Sequence, residues 1–180
     1  MRFVGKASPD VGPRSVGKDA RASRPAAREM IARREWLILL AALEGAPDGL
    51  DPVRLQQSMF MFSRCPGVPL SSKYAFEPGV YGAISDELYD DLDRLVGERL
   101  LDAVPEKGAH WSLYKPSEAT FERARRILRR AEADDLVDAT RQLAEIKQYV
   151  SSADFGELLG RVYAEHPEFA VNSVFHRAAA

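Results

Sequence analysis

YGAISDELYDDLDRLVGERLL, residues Tyr81–Leu101, decides the architecture. Ser85 stands where a helix needs a cap, and Asp86 and Glu87 follow it at the positive end of the helix dipole. Leu88, Leu92, Leu95 and Val96 recur at helical spacing and form one apolar stripe. A short apolar segment, Leu100–Val104, follows the helix. With Ala109–Tyr114 it flanks the turn Pro105-Glu106-Lys107-Gly108. This reads as a β-hairpin, with Gly108 supplying a positive-φ position. The polar side of the helix is acidic. Asp86, Glu87, Asp90, Asp91, Asp93 and Glu98 face only Arg94 and Arg99 between residues 86 and 99.

Upstream, Ser23 is expected to cap a first helix that carries Pro25 in its first turn and runs to about Leu43, before Gly45. Its second half, Trp36–Leu43, is almost wholly apolar and belongs in a core. Asp51 then Pro52 start a second helix, to about Phe62, with Val53, Leu55, Met59 and Phe62 on its buried face. Residues 64–84 contain three prolines and no helical period. They read as a long connection with one short strand near Lys73–Phe76. Downstream, Ser117 caps a fourth helix to about Arg130, and a fifth runs from about Asp134 to Val150. Ser152 or Asp154 starts a sixth that stops before Pro167, and the tail Pro167–Phe175 is apolar enough to dock back.

The 180 residues suffice for one domain, and 46% of them are hydrophobic. The net charge of −2 hides an asymmetry. Residues 1–34 hold nine Lys/Arg against three Asp/Glu, so a basic arm precedes an acidic body. Residues 1–22, rich in Gly, Pro and charge, are expected to be a disordered basic arm, and residues 23–180 one folded domain. The arm is either a polyanion-binding element or a tail without a role, and Met30 leaves a later start open. Cys65 is the only cysteine, which excludes an internal disulfide and a thiolate metal cluster. Neither a membrane span nor a secretory signal is evident, so a cytoplasmic setting is expected. The Arg/Ala-rich composition fits a GC-rich bacterial genome.

Three helices and a hairpin in this order predict a mainly α fold with a small β-hairpin, a winged-helix-like core extended by C-terminal helices. A resemblance then enters through KYAFEPGVYGAISDELYDDLDRLVGERLLD and the tail ELLGRVYAEHPEFAVNSVF. The first resembles the YwgA-like proteins and the related Panacea, or SocA-like, proteins, which include antitoxins and phage-associated proteins, and the tail resembles the C-terminal part of the YwgA-like proteins. Ala83 stands where those families usually have proline, and Gly97–Leu101 is a longer helix exit than theirs. The resemblance spans roughly residues 33–175. It implies a winged-helix-like domain without known catalysis. In its antitoxin branch it implies a surface that neutralises a toxin.

Winged helices usually meet DNA, but an acidic recognition helix would be repelled by phosphates. The long connection before it also departs from a helix-turn-helix. The helix is either a solvated surface or a docking face for a basic partner, through Asp86, Asp90 and Asp93. Tyr74, Phe76, Tyr81 and Gly82 crowd the loop before it. Those aromatics either pack the loop on the core or line a partner groove. Arg123, Arg126 and Arg130 share a helical stripe, which reads as salt bridges to the acidic body or as an anion or nucleic-acid patch. His110, His166 and His176 lie far apart and match no zinc spacing. No nucleotide-binding or nucleophile motif is present, so no catalytic residue, metal or cofactor is expected. The expectation is a non-enzymatic regulatory module that binds a protein partner, or a winged-helix DNA-binding transcriptional regulator. The fifth helix is long enough to build a homodimer.

Overall fold

The computed structural model describes residues 31–46 and 49–175. The expected arm, the Ser23 cap, Met30 and His176 lie outside the described residues. Helix α1 is Arg33–Ala42. Its cap is Ala32, with extended backbone. Glu35 completes the start: its Oε2 accepts from the Ala32 N–H at 3.2 Å. Trp36–Ala41 are all buried, so this helix is enclosed on every side, as its unbroken apolar run predicts. It packs on the later helices and on the sheet.

Helix α2 is Pro52–Arg64, and Asp51 caps it by accepting from the Arg54 N–H at 2.9 Å. Leu55, Met59 and Phe62 are buried, whereas Val53 is half-buried. Phe62 meets Trp36 at a ring separation of 4.9 Å.

The connection that follows is more structured than its prolines suggest. A 3-10 turn, Leu70–Ser72, is tied to the chain before α1 by Ser72 Oγ donating to the Ile31 carbonyl at 2.7 Å. The strand expected near Lys73–Phe76 is not formed. Instead β1, Glu77–Gly79, pairs antiparallel with β2, Gly82–Ile84. Pro78, which has no N–H, faces Ala83 across this pair. A non-hydrogen-bonded position tolerates that, and it turns the peptide groups of Ala83 away from β1.

Helix α3, Asp86–Gly97, buries Leu88, Leu92 and Leu95, each worth about 2 kcal/mol over exposure. Ser85 occupies its cap position but makes no capping bond: its Oγ is buried without a partner. The expected cap fails because Gln56 holds Ser85 through its peptide group instead.

Strands β3, Leu101–Pro105, and β4, Ser112–Pro116, form the second hairpin, with Gly108 at φ 81 in its turn. Leu50 adds a one-residue third strand. Its N–H donates to Tyr114 O at 3.2 Å and its carbonyl accepts from Tyr114 N at 2.9 Å. The order α1, α2, α3, β3, β4 follows the three helices and hairpin expected from the sequence, with β1–β2 inserted before α3.

Helices α4, Glu118–Ala133, α5, Val137–Ser152, and α6, Phe155–Glu165, extend this core. α5 starts later than expected because Asp135, at φ 59, breaks the chain between α4 and α5. Asp154 caps α6. The tail docks through Phe169 and Ala170, which pack with Phe60 and Tyr163. The fold is therefore mainly α with two small antiparallel hairpins, one more than the sequence indicates. Among the described residues no helix is long and apolar enough to cross a membrane.

Candidate functional site

Two neighbouring glutamines of α2 build one wall of the site. Gln57 Nε2 donates to Ala83 O at 3.0 Å and to Tyr81 O at 3.1 Å, while its Oε1 accepts from Ala83 N at 3.2 Å. Gln56 does the same for Ser85, with 3.0 Å to both its carbonyl and its N–H. The two side chains thus complete the open edge of β2 as a strand would. Gly82 makes this approach feasible: its φ is 90, and a Cβ there would lie 2.8 Å from Gln57 Oε1.

The tight turn before Gly82 pushes Tyr81 outward, 49% exposed. Its ring meets Phe155, the first residue of α6, at 6.0 Å and Phe175 of the tail at 5.9 Å. Opposite stand Tyr114 of β4 and Trp111 of the β3–β4 turn. Tyr89 of α3 and the Asp51–Arg54 start of α2 close the cleft, whose volume is about 730 Å³. Trp111 is 45% exposed and has no ring partner or side-chain hydrogen bond among the described residues.

The lining of the cleft holds one carboxylate, Asp51, and one guanidinium, Arg54, together with His110. Arg54 is held within the fold by all three of its guanidinium nitrogens: Nη1 donates to Asp51 at 2.7 Å, Nε to Val150 O at 3.1 Å and Nη2 to Ala153 O at 2.9 Å. The Tyr89 phenol is pushed up by burial, against a hydrogen bond with Gln56, and further by Asp86 and Asp51. Burial and then Asp93 push the Tyr114 phenol up as well. Carboxylates of α3 therefore project their field onto the tyrosines of the cleft.

The residues singled out in the sequence divide into groups. Tyr74 is buried, and its hydroxyl donates to Asp91 at 3.0 Å. Burial, with Asp91 beside it, holds that phenol far above its ordinary range. Phe76 is half-buried against Phe60, at 5.3 Å. Of the aromatic loop, only Tyr81 reaches the cleft, with Gly82 behind it.

The acidic helix is also divided. Glu87 pairs with Arg33 at 2.6 Å, Asp91 with Arg94 at 3.1 Å and Glu98 with Arg34 at 2.7 Å, so these three carboxylates serve the fold. Asp86, Asp90 and Asp93 are exposed and make no ion pair among the described residues. On α4, Arg130 and Arg123 lie 2.8 and 3.6 Å from the buried Glu35, whereas Arg126 is exposed and makes no ion pair among the described residues. The expected arginine stripe is thus partly a structural tie between α4 and α1.

Sequence reasoning did not assign Tyr89, Trp111, Tyr114 and Phe155 to a site. The signal was present at two of them. Tyr89 is an aromatic on the acidic side of α3, and Trp111 is an aromatic beside a hairpin turn, where neither helix nor turn requires one. Among the described residues, no His, Cys, Asp and Glu side chains are grouped so as to hold a metal ion. No protein-family model, no curated protein and no solved structure matches the chain, so the likeness to YwgA-like and Panacea-type proteins rests on the quoted motifs alone.

Proposed function

We propose that this protein is a non-enzymatic regulatory module that works by binding a protein partner at the aromatic cleft and the adjoining acidic face of α3. The observation that carries this reading is the cleft itself. It gathers aromatic side chains from α3, α6 and both hairpins, with Tyr81 and Trp111 exposed, and it lies beside Asp86 and Asp93, carboxylates without an ion pair among the described residues. Aromatic residues enriched at one surface, with charge kept to the rim, are the anatomy of a protein interface. The negative rim favours a basic partner. An antitoxin-like or adaptor-like role is consistent with the resemblance in the Tyr81–Ser85 turn.

Affinity capture with three proteins tests this: the wild type, a Tyr81→Ser/Trp111→Ser variant and an Asp90→Lys/Asp93→Lys variant. Both variants should lose the captured partner. The charge reversals should leave stability within about 0.5 kcal/mol, because both positions are solvated. A partner captured equally by all three would overturn the reading.

A DNA-binding regulator is favoured by one observation. Arg125, Arg126 and Arg129 project from α4 without ion pairs among the described residues. Fluorescence anisotropy with the upstream duplex and a random duplex decides it. Preference for the upstream duplex that survives moderate salt would replace the protein-partner reading.

A further inference from the structure

The proposed partner surface contains a pocket whose chemistry selects one kind of side chain. Tyr81, Tyr89, Trp111, Tyr114 and Phe155 line the same cleft. The face of an aromatic ring carries negative charge, and indole is the strongest cation acceptor among them. Among the described residues no ring stacks on Trp111, which is 45% exposed, so its face is open to a ligand. Arg54 is a poor anion receptor, since its charge is paired with Asp51 and its Nε and Nη2 donate to carbonyls at the end of α5. The helix N-termini beside the cleft are also closed to anions. Asp51 takes the Arg54 N–H of α2, and Asp154 takes the Glu157 N–H of α6. Asp86 and Asp93 add a negative field from the rim.

We propose that the cleft receives an arginine side chain of the partner, its guanidinium stacked on Trp111 and its charge balanced by the carboxylates of the rim. This rests on the protein-partner reading and gives it a chemical anchor. Arginine fits better than lysine because the planar guanidinium stacks on rings and is more weakly hydrated than an ammonium. The fold makes the same pairing within itself: Arg33 lies 5.0 Å from the Tyr74 ring centre, Arg64 4.8 Å from Phe60 and Arg161 4.5 Å from Tyr149. An uncharged apolar side chain would fill the volume but leave the rim carboxylates without a counter-charge.

The test uses the full chain and two small probes, N-acetyl-arginine amide and N-acetyl-citrulline amide. They match in shape and differ in charge. Saturation-transfer NMR titrations should show the arginine probe binding at least about fivefold more tightly than the citrulline probe. Trp111→Leu should abolish that preference while leaving the far-ultraviolet circular dichroism unchanged, and Trp111→Phe should keep part of it. Equal binding of the two probes would overturn the proposal, as would binding of neither. So would an arginine preference that survives in Trp111→Leu. If the probe test fails while partner capture still depends on Trp111, the partner reading stands and only the arginine anchor falls. If arginine binds as expected and capture ignores Trp111, the converse holds.

Discussion

Gln57→Met is the perturbation whose outcome follows most directly from the geometry. Methionine keeps the length and volume of glutamine and removes all three of its hydrogen bonds to the β1–β2 turn. Ala83 is 1% exposed, so its N–H and carbonyl would be left without water or partner. Each buried orphan costs about 1–3 kcal/mol. Tyr81 is exposed, so its carbonyl can be hydrated and adds little. The apolar thioether recovers part of the loss by transfer from water. The net expectation is a loss of about 3 kcal/mol, a large share of the ~5–15 kcal/mol that holds an ordinary domain together. Urea titration followed by circular dichroism should show the midpoint falling by roughly 1–2 M. A loss below about 1 kcal/mol would refute the view that the glutamine amides stand in for a missing strand. The same variant should loosen Tyr81 and weaken whatever the cleft binds.

Two further stability predictions follow. Gly49 has φ 94, and a Cβ there would lie 2.6 Å from the Tyr114 carbonyl oxygen, so Gly49→Ala should cost at least about 2 kcal/mol by forcing apart the Leu50–Tyr114 bridge, measured as a fall in melting temperature. Lys147 is 2% exposed and donates to Leu40 O at 2.8 Å and Ala41 O at 3.1 Å, and burial pushes its ammonium down to about 8. Its folded value lies below its unfolded one, so above it the unfolded chain binds more protons and stability rises with pH. The wild type should gain on the order of 2 kcal/mol between about pH 7.5 and about pH 9.5, and Lys147→Met should lose most of that gain. Equal slopes for the two proteins would show that Lys147 does not titrate in this window.

The helices were legible where local chemistry decides them. Asp51-Pro52 and Asp154 start helices through bonds between a side chain and its own first turn, which a sequence displays directly. The apolar stripe of α3 and the hairpin around Gly108 follow the same logic. The β1–β2 hairpin was not legible. Its strands are three residues long, carry no alternation, and depend on Gln56 and Gln57 from an earlier helix. The start of α1 at Ala32 was not legible, because it goes with Glu35, which is held by Arg130 from far along the chain. The cleft draws residues from positions 51–155, so no single window of sequence contains it. Its acidic rim was visible, but which carboxylates the fold consumes became clear only from Arg33, Arg34 and Arg94.

The small β1–β2 ribbon also bears on how the chain behaves at high concentration. A short ribbon with bare margins invites the same segment of another molecule to zip alongside, the first step toward insoluble fibres. Here both margins are occupied. Gln56 and Gln57 cover β2, while Asn172 Nδ2 caps the Pro78 carbonyl at 2.8 Å on the far side and Val174 N reaches Val80 O at 3.4 Å. The docked C-terminal tail therefore shields the ribbon as well as filling space against α6. Trimming the chain before Asn172 would expose that margin and favour intermolecular zippering, even where the remaining helices keep their packing.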